Sequence, residues 1–207
     1  MSNAAVIFDC EFLTAPGAPQ RFWCGPEDPD PVAVQIGAVK LALSPEAEVL
    51  ETWEQIIVPP SRSGAVPAIH PFFTKLTAID EARITREGVP LEDALTRFDA
   101  FSGGAPFWSW GKDEFNLLAI SSYVAGFAPP IPAIRFGNAV HLFVAAGFDA
   151  ETIHGLRSPG LPAFLGLDSS GLIAHDALGD ARAVAMAVQH LIRTQRLDPC
   201  ALLQPAS

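Results

Sequence analysis

Basic residues are scarce in this chain of 207 residues. Lysine and arginine together number 13 against 23 aspartates and glutamates, which gives a formal net charge of −10. Proteins that hold long nucleic-acid duplexes use many Lys and Arg residues, because neutralising phosphates releases counterions. The composition excludes a protein that works mainly in this way. The acidic excess is either a solubilising surface or, in part, a cluster that bound metal ions would neutralise.

Charged residues are also few, at 17%, whereas apolar residues make up 49%. This ratio excludes an intrinsically disordered chain. The longest uncharged stretch, 115–134, ends in a proline-rich run whose backbone could not be satisfied in lipid, so no membrane span is expected. Residues 1–5 show no secretory signal. We therefore expect one soluble, cytoplasmic domain over residues 1–207, with no membrane partner.

Cysteine is rare, with only Cys10, Cys24 and Cys200 in the chain. The number is odd, there is no C-x-x-C pair, and no histidine stands at zinc-ligand spacing from any of them. These features argue against a disulfide framework and a structural zinc site. They indicate reduced thiols in a reducing compartment.

The hydrophobic pattern predicts an α/β domain built on one mixed sheet. Short runs rich in β-branched and aromatic residues predict strands at 4–8, 32–43, 51–58, 107–110 and 134–136. Apolar residues at helical spacing predict helices at 91–101, 114–124, 139–146 and 181–193. The proline-rich segment 15–31, with Trp23 and five prolines, is expected to be a loop, and a lid beside the active site is one role for it.

Two carboxylates stand at the end of the first predicted strand, Asp9 and Glu11. Side chains two residues apart on a strand point to the same face, so these two project together. Adjacent carboxylates repel each other unless they share a proton or bind a cation. The alternative is an ordinary exposed strand end, because D-x-E is a common tripeptide.

Two other segments carry acids beside helix starts. Asp180 falls in the first turn of the last helix, where the helix dipole favours an anion, and His175 precedes that helix. The structural alternative is that Asp176 caps the helix and Asp180 only complements its dipole. Asp113 and Glu114 lie between a short strand and a helix, where they could also be simple first-turn acids.

The three segments together have a chemical logic that none has alone. Carboxylate oxygens are the ligands that Mg²⁺ and Mn²⁺ prefer, and an imidazole can take a proton from water near neutral pH. Such a set suits hydrolysis at phosphorus assisted by two metal ions. The residues concerned are Asp9, Glu11, Asp113, Asp180 and His175.

The order of these motifs resembles the DEDDh superfamily of 3′–5′ exonucleases. D-x-E near the N-terminus is followed by an acid that opens a helix and then by H-x-x-x-x-D at a late helix. The segments 35–39 (QIGAV) and 71–79 (PFFTKLTAI) are similar to further signatures of the family. Trp110-Gly111 before the middle acid makes the pattern most similar to the Eri-like, histone-mRNA-exonuclease-like subgroup. The resemblance covers about residues 6–192 and implies a ribonuclease-H-like fold, a mixed five-stranded sheet flanked by helices.

The resemblance also implies roles for the site residues. Asp9 would bridge two Mg²⁺ or Mn²⁺ ions, and Glu11 and Asp180 would hold the ion on the side of the attacking water. Asp113 would act on the second ion, and His175 would be the general base.

The middle acid can be counted in two ways from Trp110. Glu114 is the alternative to Asp113, and we favour Asp113 because Leu117 and Leu118 then fall where the helix needs apolar residues. Further expected substrate contacts are Phe12, Cys10, Trp110 and Asn138. Phe12 could stack on a terminal base or belong to the core. Trp110 could instead be a cleft wall, and Asn138 a helix cap.

The implied activity is removal of nucleoside 5′-monophosphates from the 3′ ends of short single-stranded RNA or DNA. Two other classes stay open at this stage. One is a catalytically silent binding module of the same fold, and the other is a metal-dependent hydrolase of small phosphoesters. The sequence does not distinguish RNA from DNA, because recognition of the 2′-hydroxyl depends on pocket atoms, and it leaves the oligomeric state open.

Overall fold

Five strands form one mixed sheet in the order β3-β2-β1-β4-β5. The computed structural model describes residues 3–205. β1 pairs antiparallel with β2, which pairs antiparallel with β3, whereas β1, β4 and β5 run parallel. The strands are β1 (Ala4–Phe12), β2 (Ala33–Ala42), β3 (Val49–Ile56), β4 (Phe107–Ser109) and β5 (Phe136–Asn138). The predicted fold class, α/β with a mixed five-stranded sheet, is confirmed.

Eight helices occur in the described part of the chain. They are α1 (Pro71–Thr77), α2 (Glu81–Glu87), α3 (Leu91–Ser102), α4 (Asp113–Ala125), α5 (Ala139–Ala145), α6 (Ala150–His154), α7 (Leu161–Phe164) and α8 (Ala177–Arg193). The sequence pattern missed α1, α2, α6 and α7, which are too short to show a helical period. Local caps start three of these, since His70, Asp80 and Asp149 accept hydrogen bonds from backbone N–H groups of the first turn.

Two predicted boundaries differ from the structure. β5 lies at Phe136–Asn138 rather than 134–136, because Ala133–Arg135 forms a 3₁₀ turn after Pro132. α8 begins four residues earlier than its apolar stripe indicated. Its first turn is rich in small residues and is capped by Asp176, so hydrophobic spacing gives no sign of it.

Alternate residues of β1 pack into two separate cores. Val6 and Phe8 face α3 and α4, where they join a cluster that includes Phe98. Ala5 and Ile7 face α5 and α8 on the other side. Each fully buried large side chain contributes about 1.5–3 kcal/mol to folding. Because the alternation continues to the end of the strand, residues 9 and 11 are on the α8 side.

A glycine lets the first turn of α8 lie directly on the sheet. Gly37 on β2 is paired with Asp9 on β1. A Cβ at this position would collide with the backbone of Ala177 and Leu178, so only glycine permits the approach. The start of α8 is thereby held beside the end of β1.

The segment 15–31 is a loop, as expected, with one 3₁₀ turn at Pro19–Arg21. The indole Nε1 of Trp23 donates to the Leu13 carbonyl over 2.9 Å, and Arg21 pairs with Asp28 at 2.6 Å. No helix within residues 3–205 combines the length and the hydropathy that a membrane crossing requires.

Candidate active site

The acids of β1 are buried at the end of the strand, on the face that α8 covers. Asp9 is 6% exposed and Glu11 is 9% exposed. Burial raises the pKa of Asp9 well above its usual range, and the charges of Glu114, Asp180 and Glu11 raise it further. Burial and the charges of Asp180, Asp176 and Glu114 raise the pKa of Glu11 to about 8. These acids therefore lie in one electrostatic environment that opposes their ionisation.

The 175–180 segment contains the expected helix cap and, in addition, a buried acid. Asp176 caps α8, since its Oδ2 accepts the N–H of Gly179 over 2.9 Å. Asp180 is nevertheless buried, and its Oδ2 accepts the backbone N–H of His175 over 3.2 Å. Burial raises the pKa of Asp180 to about 6, against the opposing effect of that hydrogen bond. The helix start thus supplies one capping acid and one acid directed at β1.

His175 stands on the open side of this group. It is exposed, and its backbone has φ 58°, a left-handed conformation that is uncommon for a residue with a side chain. One ligand atom from each of Glu11, His175 and Asp180 can be chosen so that all three lie within 4.8 Å of one another. Three groups at this spacing can hold a single cation.

Gln35 connects β2 to the start of α8. Its side chain is fully buried, and its Oε1 accepts the N–H of Ala177 over 3.0 Å. Its Nε2 donates to Asp176 and to Glu54 on β3, each over 2.9 Å. The sequence marked Gln35 as part of a signature but did not indicate this bridging role.

The middle acid that faces β1 is Glu114. Asp113 is exposed at the first position of α4, whereas the charge of Glu114 raises the pKa of Asp9. Burial raises the pKa of Glu114 itself to about 7; hydrogen bonds from its own backbone N–H and from Ser109 oppose this rise, and the charges of Asp113 and Asp180 add to it. The preference for Asp113 is therefore corrected. Its basis was the packing of Leu117 and Leu118, and both are buried with Glu114 in this position.

The four acids together form what we call the carboxylate cluster: Asp9, Glu11, Glu114 and Asp180. No basic side chain within residues 3–205 makes an ion pair with any of them. In the same range, Glu114 Oε2 and Asp180 Oδ1 are buried without a hydrogen-bond partner. Buried carboxylates without partners are costly unless a cation compensates them. The cluster therefore fits hard divalent cations such as Mg²⁺ and Mn²⁺.

Cys10 and Phe12 lie on the other face of β1. The Cys10 thiol is buried in the core cluster that contains Phe8, and Phe12 packs against the same cluster. Alternation along the strand places them opposite Asp9 and Glu11. The expectation that Cys10 contacts substrate is corrected for this reason, and Phe12 is in its core position.

Trp110 and Asn138 line a cavity of about 670 Å³ next to Glu114. Trp110 is half-buried, with its ring edge-on to Phe143 at 5.0 Å between centroids. Asn138 caps α5, because its Oδ1 accepts the N–H of Val140 over 2.9 Å. Both residues thus have structural roles, and their contact with substrate stays a prediction.

Solved exonucleases share this arrangement of strands and helices. A full-length 3′-exonuclease aligns with 94% of this chain at a TM-score of 0.74 and 15% identity. A 3′-exonuclease solved for 3′-end-specific recognition of a histone mRNA stem-loop aligns with 94% at 0.72 and 15% identity. Exonuclease X, in complex with 5′-overhanging duplex DNA, aligns with 96% at 0.61 and 15% identity.

The chain has the ribonuclease-H-like fold of these exonucleases. The resemblance inferred from the motifs is thereby confirmed at the level of the fold. The chain spans 62% and 65% of the first two neighbours and 97% of exonuclease X. No family model and no curated protein matches the sequence.

Proposed function

We propose that this chain is a divalent-metal-dependent 3′–5′ exonuclease. It hydrolyses phosphodiester bonds at the 3′ end of single-stranded RNA or DNA and releases nucleoside 5′-monophosphates. The carboxylate cluster carries the proposal, because three buried acids and the half-buried Glu114 lie together without basic partners, which is otherwise unfavourable. The exonuclease fold supports it, with one neighbour solved on RNA and another on DNA.

Each part of the site has a role in this proposal. Mg²⁺ or Mn²⁺, held by the carboxylate cluster, would polarise the scissile phosphate and activate water. His175 accepts the proton of the attacking water, since it is exposed beside Glu11 and Asp180. The hydrogen bond from the His175 backbone to Asp180 keeps the imidazole next to the cluster.

The acidic composition limits the kind of substrate. A net charge of −10 disfavours binding along a duplex, where affinity grows with the number of phosphates neutralised. Recognition confined to the last few nucleotides of a strand avoids most of this repulsion. We therefore propose short single-stranded ends or overhangs as substrates.

The test uses 5′-end-labelled RNA and DNA oligonucleotides with Mg²⁺ or Mn²⁺. A ladder of progressively shorter labelled products, together with nucleoside 5′-monophosphates, is expected, and a chelator should stop the reaction. A 5′–3′ enzyme would instead release the labelled mononucleotide first, and a circular single strand should remain intact. Absence of shortening under every condition would refute the proposal.

Two variants separate catalysis from folding. His175→Ala and Asp9→Ala should each abolish shortening while the thermal unfolding transition remains cooperative. Hydrolysis of small phosphoesters in preference to oligonucleotides would favour the small-substrate class. Absence of metal binding by calorimetry would favour the silent module.

A further inference from the structure

A cavity of about 670 Å³ opens beside the carboxylate cluster, with Glu114 in its wall. Three parts of the chain form it: the loop between β4 and α4, the start of α5, and residues 154–158. Its volume is within the range of ligand-binding clefts, about 300–1,000 Å³. Its polar lining includes Lys112, Asn138, His141, His154 and Arg157, together with the acids Asp113 and Glu114. We call it the basic cavity after its two cationic residues, Lys112 and Arg157.

The basic cavity is lined by two basic side chains that make no ion pair or side-chain hydrogen bond within residues 3–205. Most Lys and Arg side chains of this acidic chain are engaged in ion pairs or hydrogen bonds. The exceptions within residues 3–205 are Lys75, Lys112, Arg157 and Arg182. Lys112 and Arg157 come from distant parts of the sequence and line this one cavity. The acids Asp113 and Glu114 line the same cavity, but within residues 3–205 neither Lys112 nor Arg157 makes an ion pair with them.

Hydrogen bonds hold the walls of the basic cavity in place. Trp110 Nε1 donates to the Leu156 carbonyl over 2.8 Å, which attaches the Arg157 segment to the end of β4. Asn138 Oδ1 accepts the N–H of Gly111 over 3.1 Å and so ties the loop that carries Lys112 to α5. The two cations therefore stand on fixed backbone, although their side chains reach into solvent.

A second, smaller cavity adjoins the first. A space of about 280 Å³ shares Gly111, Lys112, Asn138 and His141 with the basic cavity and extends to Phe115. Lys112 and His141 thus stand where the two spaces join.

We propose that the basic cavity binds internucleotide phosphates of the substrate strand on the 5′ side of the scissile bond. This inference rests on the proposed exonuclease function and adds the site that holds the nucleotides next to the scissile bond. Lys112 and Arg157 would contact phosphate oxygens, which gives affinity independent of base sequence. Such contacts offset the repulsion between the nucleic acid and a chain of net charge −10.

The same cations could instead bind the phosphate of the terminal nucleotide. Two substrates distinguish binding of upstream phosphates from binding of the terminal phosphate. An oligonucleotide carries upstream phosphates, whereas the 4-nitrophenyl ester of thymidine 5′-monophosphate carries only the phosphate that is cleaved. Loss of an upstream contact should weaken binding of the oligonucleotide far more than binding of the ester.

The variants are Arg157→Gln and Lys112→Gln, singly and combined, with Arg193→Gln as the control. Arg193 is thirteen residues beyond Asp180 on α8, about 20 Å along the helix. Its replacement by glutamine removes the same positive charge at a position far from the cavity. We expect each cavity variant to raise KM for a 5′-labelled oligonucleotide about three- to tenfold, with a smaller change in kcat. The control should match the wild type.

Equilibrium binding gives a readout that does not depend on turnover. Fluorescence anisotropy of a labelled oligonucleotide in chelator measures affinity as a function of salt. The slope of log K against log salt is negative, and each lost phosphate contact should reduce its magnitude by about 0.7 for a single strand. Thermal unfolding of every variant checks that the fold is unchanged.

Each outcome of these experiments supports or refutes phosphate binding in the basic cavity. Unchanged KM and salt slope in the cavity variants, with an active wild type, would refute the basic cavity and leave the exonuclease function standing. Equal losses on the oligonucleotide and the ester would overturn the upstream assignment. If the wild type cleaves neither substrate, the exonuclease function fails, and an unchanged salt slope would then overturn the cavity as well.

Discussion

Gln35 on β2 donates a side-chain hydrogen bond to Asp176 Oδ1 over 2.9 Å, across the gap between the sheet and the start of α8. The other Asp176 oxygen caps that helix at Gly179. A single aspartate therefore connects the sheet to the helix that carries Asp180. Gln35 is also the residue opposite Glu11 in the register of β1 and β2. The same side chain therefore aligns Glu11 with Asp180.

Replacing Gln35 with leucine should destabilise the protein, because it removes the hydrogen bonds between β2 and the start of α8. The change leaves the Ala177 N–H without its buried acceptor and Asp176 without a donor. Each unsatisfied buried group costs about 1–3 kcal/mol, so the loss of these two partners should lower the unfolding free energy by about 2–6 kcal/mol. Chemical denaturation measures it. Gln20→Leu, at an exposed position, should have little effect, and equal losses in the two variants would contradict the bridging role.

Substitutions of the two neighbouring acids of α4 should have very different effects on activity. Glu114→Gln removes the charge that faces Asp9, and we expect a loss of activity of about 100-fold or more together with weaker Mn²⁺ binding. Asp113→Asn removes an exposed charge and should change the activity less than threefold, which is about 0.6 kcal/mol. Oligonucleotide assays and calorimetry measure both. The reverse ranking would restore Asp113 as the middle acid.

The metal-free protein should lose stability as the pH rises. Burial raises the folded-state pKa values of Glu11, Glu114 and Asp180 to about 8, 7 and 6, above those of the unfolded chain. Their contribution to stability is fully present below pH 4 and is lost as the pH rises through these values. In chelator, Tm should fall by about 5–15 °C between pH 5 and pH 8, as differential scanning fluorimetry can measure.

Divalent cations should reverse this loss at pH 8, since they bind the ionised cluster of the folded state only. Asp9→Asn removes one of the mutually repelling charges, so its pH-dependent fall and its metal-induced rise in Tm should both be smaller. Glu27→Gln, which changes an exposed acid outside the cluster, should behave like the wild type. A Tm that does not change with pH in chelator would show that burial does not raise the pKa values of these carboxylates.

Gly37→Ala tests the close approach of α8 to β2. The added Cβ would collide with the backbone of Leu178, so the helix must shift away from Asp9. Overpacking of this kind costs about 1–3 kcal/mol, occasionally more. Both Tm and Mn²⁺ affinity should fall, whereas Gly171→Ala, where nothing lies within 4 Å, should be neutral. Unchanged metal affinity in Gly37→Ala would mean that the helix position does not matter to the site.

Much of the site was predictable because it depends on local periods. The alternation of a strand places Asp9 and Glu11 on one face whatever the rest of the chain does. By the same rule it places Cys10 on the other face, in the core. The capping preference of Asp176 is likewise local, and so is the apolar stripe of α8.

The choice between Asp113 and Glu114 was not predictable in this way. Consecutive helical residues differ by about 100° around the axis, so a shift of one residue in where α4 begins exchanges the acid that faces β1. Leu117 and Leu118 are both buried, and the apolar pattern therefore suits either choice. The path of the loop after β4 decides it.

The sequence by itself determined the sheet, its acids and the family they resemble, because strand and helix periods and short motifs act between near neighbours. Tertiary structure alone decided which middle acid faces β1 and brought Lys112 and Arg157 to one cavity. Those relations join segments that share no local period. They follow only from how the helices pack on the sheet.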